Sequence, residues 1–537
     1  LRQLRVTLLL AATILLLFTS AHFYLYNHEK GIFRPTSHAD STLCPPLPPT
    51  NGLSPAAAIR CRVHAAQTRA RRLIESQSRT PEAAIATYSQ RYQRPPPAGF
   101  REWAQFALDH DSQILDEFDQ IELDLRPFRS EEARRVLRRL HQRPDDWPYT
   151  RRVGFFSDAE GHSHVQTSGG LLYHGEWASL LAPIAHAVPR NLLVYVSTID
   201  EPRAGHENEN EHENVTFIQH SGAASIESLV KESCATLQHQ TRGSVDEERD
   251  VCRAAAPGKL HGLVTSPATF SYTHALAPIL SFGRMAAFRD ILVPCPCYLD
   301  HAEAAAAVEE EADGEVIPFH NKTKAVYWRG RSTGGQAQRT TWRFGHRQRF
   351  VAFVHALQRA AEAVGMSRFY TSTNPQPSVA DDAHRARQIA NAFDVQMAGY
   401  IQCEDEVCGD MERVLGPAHF EGEHAARQFR ILFDLDGNSM STRFYHLLGQ
   451  RALVLKQTWF QEWHDQRLIP WAHYVPVSMG LEELPALVDY FLHDPEGEQL
   501  AAEIAEAGAD WSRRVVRGID MSIYVYRLLV EMADVFG

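Results

Sequence analysis

Two short stretches in the carboxyl half carry the residue types that chemistry on phosphate requires. They are Lys324–Gly335, KAVYWRGRSTGG, and Phe433–Pro476, which opens FDLDGNSMSTRFYHLLGQ. Each joins an apolar run to a loop rich in Gly, Ser and Arg, where backbone N–H groups and guanidinium forks can meet an anion. In the first, Gly330, Arg331 and Ser332 lead into Gly334-Gly335, glycines that let a backbone approach a ligand closely. The Gly-Lys-Ser/Thr ending of a Walker loop is missing. In the second, Asn438, Ser439, Met440, Ser441, Thr442 and Arg443 supply hydroxyls and a cation. A helix expected from about Thr442 would aim its first amides at the same anion. Asp434 and Asp436 share one strand face, which permits a divalent metal without requiring one.

A third candidate lies earlier. Asp200, in Val196–Arg203 (VSTIDEPR), follows the apolar run Asn191–Ser197, which reads as a doubly buried parallel strand. Open α/β sheets place functional loops at such strand ends, and a carboxylate there can act as a general base. Asp followed two residues on by Pro is also an ordinary turn.

These residues need elements to position them. Ala325–Trp328, Arg368–Thr371, Arg430–Leu435, Ala452–Leu455 and Tyr474–Val477 read as further strands with helices between, the alternation of an α/β fold. Phe100–Leu125 carries Phe100, Trp103, Phe106, Ile114, Phe118 and Ile121 at helical spacing, a shared buried face. Ala302–Glu311 reads as an exposed helix, and Leu481–Phe536 as helical with a break near Gly518. Residues 27–84 are Pro-rich in Cys44–Pro55 and read as an extended stem, with a helix over Arg60–Gln77.

Composition narrows the compartment and the partners. The 537 residues carry a net charge of −12, which argues against nucleic acid as a partner. Arg2 and Arg5 precede an apolar run, Val6–Tyr26. About 20 helical residues span a ~30 Å hydrocarbon layer, so residues 1–26 are expected to be an uncleaved signal anchor, with a cleaved signal peptide as the alternative. The eight cysteines then face an oxidising lumen. Their order suggests Cys44–Cys61, Cys234–Cys252 and Cys403–Cys408, while Cys295-Pro-Cys297 reads as too tight for an easy disulfide. Zinc has no CxxC pair or HExxH to use, and His206 and His212 in the acidic stretch Gly205–Asn214 read as a solvated excursion. The sequons at Asn214 and Asn321 fit a secretory route.

Taken together, the two phosphate-suited stretches resemble the CAP10-like glycosyltransferases of family 90, which include fungal capsule xylosyltransferases and animal protein O-glucosyltransferases. The likeness covers roughly residues 85–535; it is strong over Ala325–Pro476, looser before Ser266, and includes Phe288–Pro294. It implies a GT-B arrangement of two Rossmann-like domains facing a cleft, an acceptor-side domain at 85–320 and a UDP-sugar domain at 321–537. It implies Asp200 as the base of an inverting transfer. It also implies Gly330, Arg331, Ser332, Arg339 and Asn438–Arg443 as donor-binding residues, with Lys456, Glu462 and Trp463 lining or bracing the nucleotide pocket. Trp471–Pro476 matches as structural support. The Pro-rich stem and the Arg94–Phe128 pattern look most like the fungal branch, which implies UDP-xylose and a glycan or glycoprotein acceptor. UDP-glucose with a protein Ser acceptor is the alternative, and a non-catalytic glycan-binding relative is the alternative of another class. The implied location is the Golgi or ER membrane, single-pass type II, with the catalytic part lumenal.

Overall fold

A computed structural model describes residues 44, 45, 47, 55–130, 147–157, 163–167, 173–187, 192–205, 217–221, 225–237, 249–299, 317–362 and 379–536. Two five-stranded sheets organise them. The amino-terminal half contains β1 (Thr150–Ser157), β2 (Ser163–Thr167), β3 (Leu192–Ser197), β4 (Ile218–Ser221), β5 (Thr269–Tyr272), β6 (Ile279–Ser281) and β7 (Ile291–Leu292). β3, β6 and β7 are parallel, β1 and β2 form an antiparallel edge in the order β2-β1-β3-β6-β7, and β4 pairs with β5 apart from them. This sheet is mixed, where a Rossmann-like one was expected. The link from β1 to β2 is too short for a parallel crossover, which takes about a dozen residues.

The carboxyl half is wound as expected from its sequence. β8 (Thr323–Arg331), β9 (Phe393–Gly399), β10 (Phe429–Leu435), β11 (Leu453–Gln457) and β12 (Val475–Pro476) are all parallel, in the order β12-β11-β10-β8-β9. Helices cover the sheet on both sides, so a strand such as β11, LVLKQ, is buried at every position. The chain reverses its winding between β8 and β10. In such sheets the crevice outside the carboxyl ends at the switch point is the ligand site.

Both chain ends of the described region are tied into the cores. The helix Pro55–Glu75, expected within a stem, buries Ile59 and Val63 in the carboxyl-half core, and the Cys44–Cys61 disulfide holds its first turns. The helix Gly518–Phe536 crosses back onto the amino-terminal half. There Trp103 Nε1 donates to the Ile523 carbonyl (3.0 Å), and the Arg527 guanidinium lies over Phe100 and Trp103 while pairing with Glu531. The helical stretch expected over Phe100–Leu125 is two helices, Phe100–Asp109 and Asp119–Leu125, because Asp111 takes a left-handed conformation (φ 54°) between them.

Several expectations are corrected or fall elsewhere. No helix among the described residues is long and apolar enough to cross a membrane, so the structure gives no support to the anchor; the run Val6–Tyr26 lies outside those residues. Residues 206–216, with His206, His212 and Asn214, also lie outside them, as do the helix expected at 302–311 and the strand expected at 368–371. The three disulfides suggested by cysteine order form. Cys295 and Cys297 also bond, against expectation, because Pro296 opens a tight helical turn that brings their Cα atoms to 5.1 Å.

The halves meet along a glycine seam. Gln336 N–H donates to the Ser266 carbonyl (2.8 Å), and Ser266 Oγ returns a bond to the Gln336 carbonyl (2.5 Å). Gly335 has φ +96°, and a Cβ there would stand 2.5 Å from the Ser266 carbonyl oxygen and 2.6 Å from that of Gly262. Gly335→Ala is therefore expected to lower stability by about 1–3 kcal/mol, read as a drop in thermal midpoint. An unchanged midpoint would mean that the seam yields without cost.

Candidate functional site

The carboxyl ends of β8 and β10 bring the two Arg-rich stretches together at the switch point. Asp434 and Lys456 are register partners on β10 and β11, and Lys456 Nζ donates to Asp434 Oδ2 (2.9 Å) with both side chains buried. Ser441 Oγ donates to the other carboxylate oxygen (2.5 Å), folding the turn 437–443 back over the strand ends. Asn438 Oδ1 accepts from the amides of Gly334 and Gly335, at 3.2 Å each. The two stretches are thereby stapled to each other. Those glycine amides serve the staple and the seam, and Ser332 is similarly committed, exchanging bonds with Ile401 through its hydroxyl (2.8 Å each way).

Charge in this crevice is unbalanced. Arg347, on the helix His346–Glu362, gives Nε, Nη1 and Nη2 to the carbonyls of Asp436, Arg331 and Leu435 and meets no carboxylate through a hydrogen bond. Burial, and then the neighbouring Arg443 charge, pull it down to about 9. Arg443 donates Nη1 to the Arg329 carbonyl (2.6 Å), while its Nη2 is buried with no hydrogen-bond partner among the described residues. Burial lowers Arg443 also. Arg331 is exposed at the end of β8. Asp434 attracts both cations and Asp436 attracts Arg347, but these carboxylates are bonded elsewhere, and desolvation outweighs that attraction, a cost that a bound anion recovers.

The two aspartates of Asp434-x-Asp436 are otherwise engaged. Asp434 holds Lys456 and Ser441, as above. Asp436 Oδ2 accepts from the Trp459 amide (3.1 Å) and stands 3.4 Å from His261 Nε2, and burial raises its carboxyl to about 6. His261 stacks on His346 (3.9 Å between centroids), whose Nε2 donates to the Asp436 carbonyl (2.7 Å). Among the described residues no cluster of three or more His, Cys, Asp or Glu could hold a metal ion.

Other expected residues fall into distinct settings. Gly330 lies within β8, Met440 is buried, Ser439 Oγ is buried without a partner among the described residues, and Thr442 is half-buried. The helix after Arg443, Phe444–Gly449, is a short one that starts two residues later than expected and has no side-chain cap. Arg339 is carried out to an exposed ion pair with Glu406, apart from the other cations. Arg347, His261 and His346 were not anticipated. HRQRF at 346–350 was the one sequence signal for Arg347 and His346, and it reads as an ordinary amphipathic helix start; His261 had none.

In the amino-terminal half, Asp200 stands in the bend after β3. Asp290 braces this loop, accepting the amides of Arg203 (2.7 Å) and Ala204 (2.9 Å) on its two oxygens. Arg203 Nη1 donates to the Ser271 carbonyl (2.7 Å). Asp200 is half-buried, takes no hydrogen bond among the described residues, and is raised by burial. Glu201 is fully buried, and burial followed by the Asp200 charge pushes it up to about 7. Asp200 is thus the carboxylate of this loop that keeps partial exposure and lacks a hydrogen-bond partner among the described residues.

Known proteins share part of this sequence. Residues 412–536 match the model of glycosyl transferase family 90, a stretch that contains the turn 437–443 and Lys456. The chain is 39% identical over 106 residues to an O-glucosyltransferase rumi homolog of Aedes aegypti, covering 19% of this chain and 25% of that protein. It is 30% identical over 106 residues to human protein O-glucosyltransferase 1 (19% and 26%), and 28% identical over 150 residues to rat protein O-glucosyltransferase 3 (28% of each). The matched stretches span about a quarter of the length of these curated relatives. The likeness to glycosyl transferase family 90 thus lies in the carboxyl-half stretch that carries this turn.

The Glu201 setting has a consequence for stability. Its folded value of about 7 lies above the ordinary 4.5, so between those values the native state holds a proton that the unfolded chain releases. Stability should therefore fall as pH rises from about 4.5 to 7. Glu201→Gln removes that loss, and its thermal midpoint is expected to gain on wild type between pH 5 and 8. A pH-independent difference between the two would place the Glu201 carboxyl in the ordinary range.

Proposed function

We propose that the protein is an inverting glycosyltransferase that moves a sugar from a UDP-sugar to an acceptor hydroxyl. The observation that carries this reading is the pair of guanidiniums at the switch point, buried Arg347 and half-buried Arg443 with its Nη2 buried and unpartnered, neither hydrogen-bonded to a carboxylate among the described residues. Arg443 would hold the diphosphate and stabilise it as it departs, and Arg347 would keep the potential positive behind it. Arg331, exposed at the mouth, adds to that field. The relatives' names, which speak of O-glucosyl transfer, agree with this class.

Asp200 would take the acceptor's proton as its oxygen attacks the anomeric carbon and the C1–O bond to UDP breaks. A carboxylate raised by burial is a stronger base than a solvated one, which suits the task. The acceptor is a glycan or glycoprotein. For the donor, the fungal-like sequence pattern weighs for UDP-xylose, and the names of the matched relatives weigh for UDP-glucose. The four disulfides among the described cysteines fit an oxidising secretory compartment, the ER or Golgi lumen. A non-catalytic glycan-binding relative is the competing class. It has no use for both a half-buried Asp200 raised by burial and an arginine whose Nη2 lacks a partner among the described residues.

A UDP-release screen of the purified protein against UDP-xylose and UDP-glucose, with glycan and peptide acceptors, tests the class. Turnover with neither, while UDP still binds, would favour the binding relative. Arg443→Ala should weaken UDP binding by about tenfold or more, with Arg443→Lys restoring it in part, because a point charge cannot reproduce the fork. Unchanged affinity in the alanine variant would make the arginine a structural brace. Asp200→Asn should cost on the order of 10²–10⁴ in transfer rate with UDP affinity and melting nearly unchanged. Transfer within a few-fold of wild type would make Asp200 a turn residue.

A further inference from the structure

The turn 437–443 is gripped from the opposite half by a single hydroxyl. Tyr298, which follows β7 and is fully buried, lies 3.1 Å from the Ser441 carbonyl and 2.5 Å from Glu462 Oε2. Its ring stacks on Tyr445 (4.2 Å between centroids), fixing the hydroxyl in place. A phenol has one proton to give, and here two acceptors face it. Both can be satisfied only when Glu462 is protonated and donates to the phenol oxygen, freeing the phenol proton for Ser441. When Glu462 is ionised it claims that proton. The Ser441 carbonyl is then left with the Phe444 amide, at a long 3.4 Å.

We propose that Tyr298 is the positioning residue of the 437–443 turn, and that Glu462, by holding or losing a proton, sets whether Tyr298 secures that turn. The consequence is a diphosphate site that loosens as pH rises, which rests on the reading of the turn as the donor site.

The surroundings of Glu462 place its titration in reach. Lys456 Nζ and His464 Nε2 each stand 3.8 Å from Oε1, which has no hydrogen-bond partner among the described residues. Asp465 lies on the same segment and accepts the Glu462 amide (3.2 Å), and Arg249 pairs with Asp465 (2.9 Å). Tyr298 itself is raised well above its ordinary value and stays neutral. Burial outweighs the nearby Lys456 charge, and the Glu462 carboxyl is pushed up to about 8. Lys456 is already spent on Asp434 at 2.9 Å, which is why it does not hold Glu462 ionised.

Two conservative variants separate this relay from a plain charge effect. Glu462→Gln presents an amide that donates to the phenol oxygen at every pH, so the turn stays secured. Tyr298→Phe removes the bond to Ser441 while leaving the Glu462 charge to titrate. UDP is titrated between pH 7 and 9, and hydrogen–deuterium exchange of the 438–445 backbone is followed over the same range, with melting curves to confirm folding. Wild type should lose about 3–10-fold in UDP affinity as pH rises, the range of one neutral hydrogen bond. Arg347, held down to about 9, adds a shallow loss common to every variant. Glu462→Gln should bind tightly and keep only that shallow loss, and Tyr298→Phe should bind several-fold more weakly at pH 7 with its pH dependence reduced to the same shallow one. A Tyr298→Phe variant that keeps the full wild-type pH dependence would overturn the relay and leave simple repulsion. If wild type binds no UDP, the donor-site reading fails. The relay is then decided by exchange alone: protection of 438–445 that falls with pH in wild type relative to Glu462→Gln supports it, and equal protection in both refutes it.

Discussion

The buried Asp434–Lys456 pair is the interaction on which the candidate site depends. Removing two charges from water is costly, and the attraction repays it only when the remaining lone pairs are also satisfied. Ser441 supplies that last bond, so the turn 437–443 must fold back over the strand ends if the pair is to be tolerated. Folding back puts Arg443 on the Arg329 carbonyl and Asn438 on the amides of the glycine stretch. The unpaired guanidinium edge of Arg443 is thus a by-product of satisfying an ion pair elsewhere. The protein accepts one desolvated cation as the condition for closing the turn.

The same economy of close approach shapes the seam between halves. Gly262 packs against the Gly334 carbonyl, and Gly335 against Ser266, so these glycines admit the close approach of the other half of the protein. His261 then reaches across to stack on His346 and face Asp436. Burial keeps both imidazoles neutral, each lowered from its ordinary value, so the stack carries no like-charge repulsion. With the helix Gly518–Phe536 returning to the amino-terminal core, the halves share packing at both ends of the chain.

What the sequence disclosed follows from how locally each feature is encoded. β3, β10 and β11 each carry a short apolar run, LLVYV, ILF and LVL, and their limits were legible to within a residue or two. β9, FDVQMAG, was not anticipated because it is an edge strand with Asp394 and Gln396 on its open face, a pattern that mimics a loop. The mixed amino-terminal sheet was equally hidden, since strand direction depends on connection length and not on composition. Within the site, Asn438–Arg443 was legible from its hydroxyls and its cation. Arg347 and His261 were not, because their roles exist only once distant segments meet. Arg339 shows the converse, a cation in a promising motif that the fold sends to the surface.

Adjacent carboxylates at the end of β3 show how the fold separates two like residues. Asp200 and Glu201 share one bend, yet Asp290 and Arg203 hold the loop so that Glu201 turns inward and Asp200 stays at the boundary. Each carboxylate disfavours ionisation of the other, and the deeper one bears more of the desolvation. The inner glutamate therefore holds its proton to about 7, while the outer aspartate is raised by its own burial. Depth thus separates two like side chains in one bend: the glutamate, with its longer reach, lies in the core and takes most of the desolvation, and the aspartate keeps partial exposure.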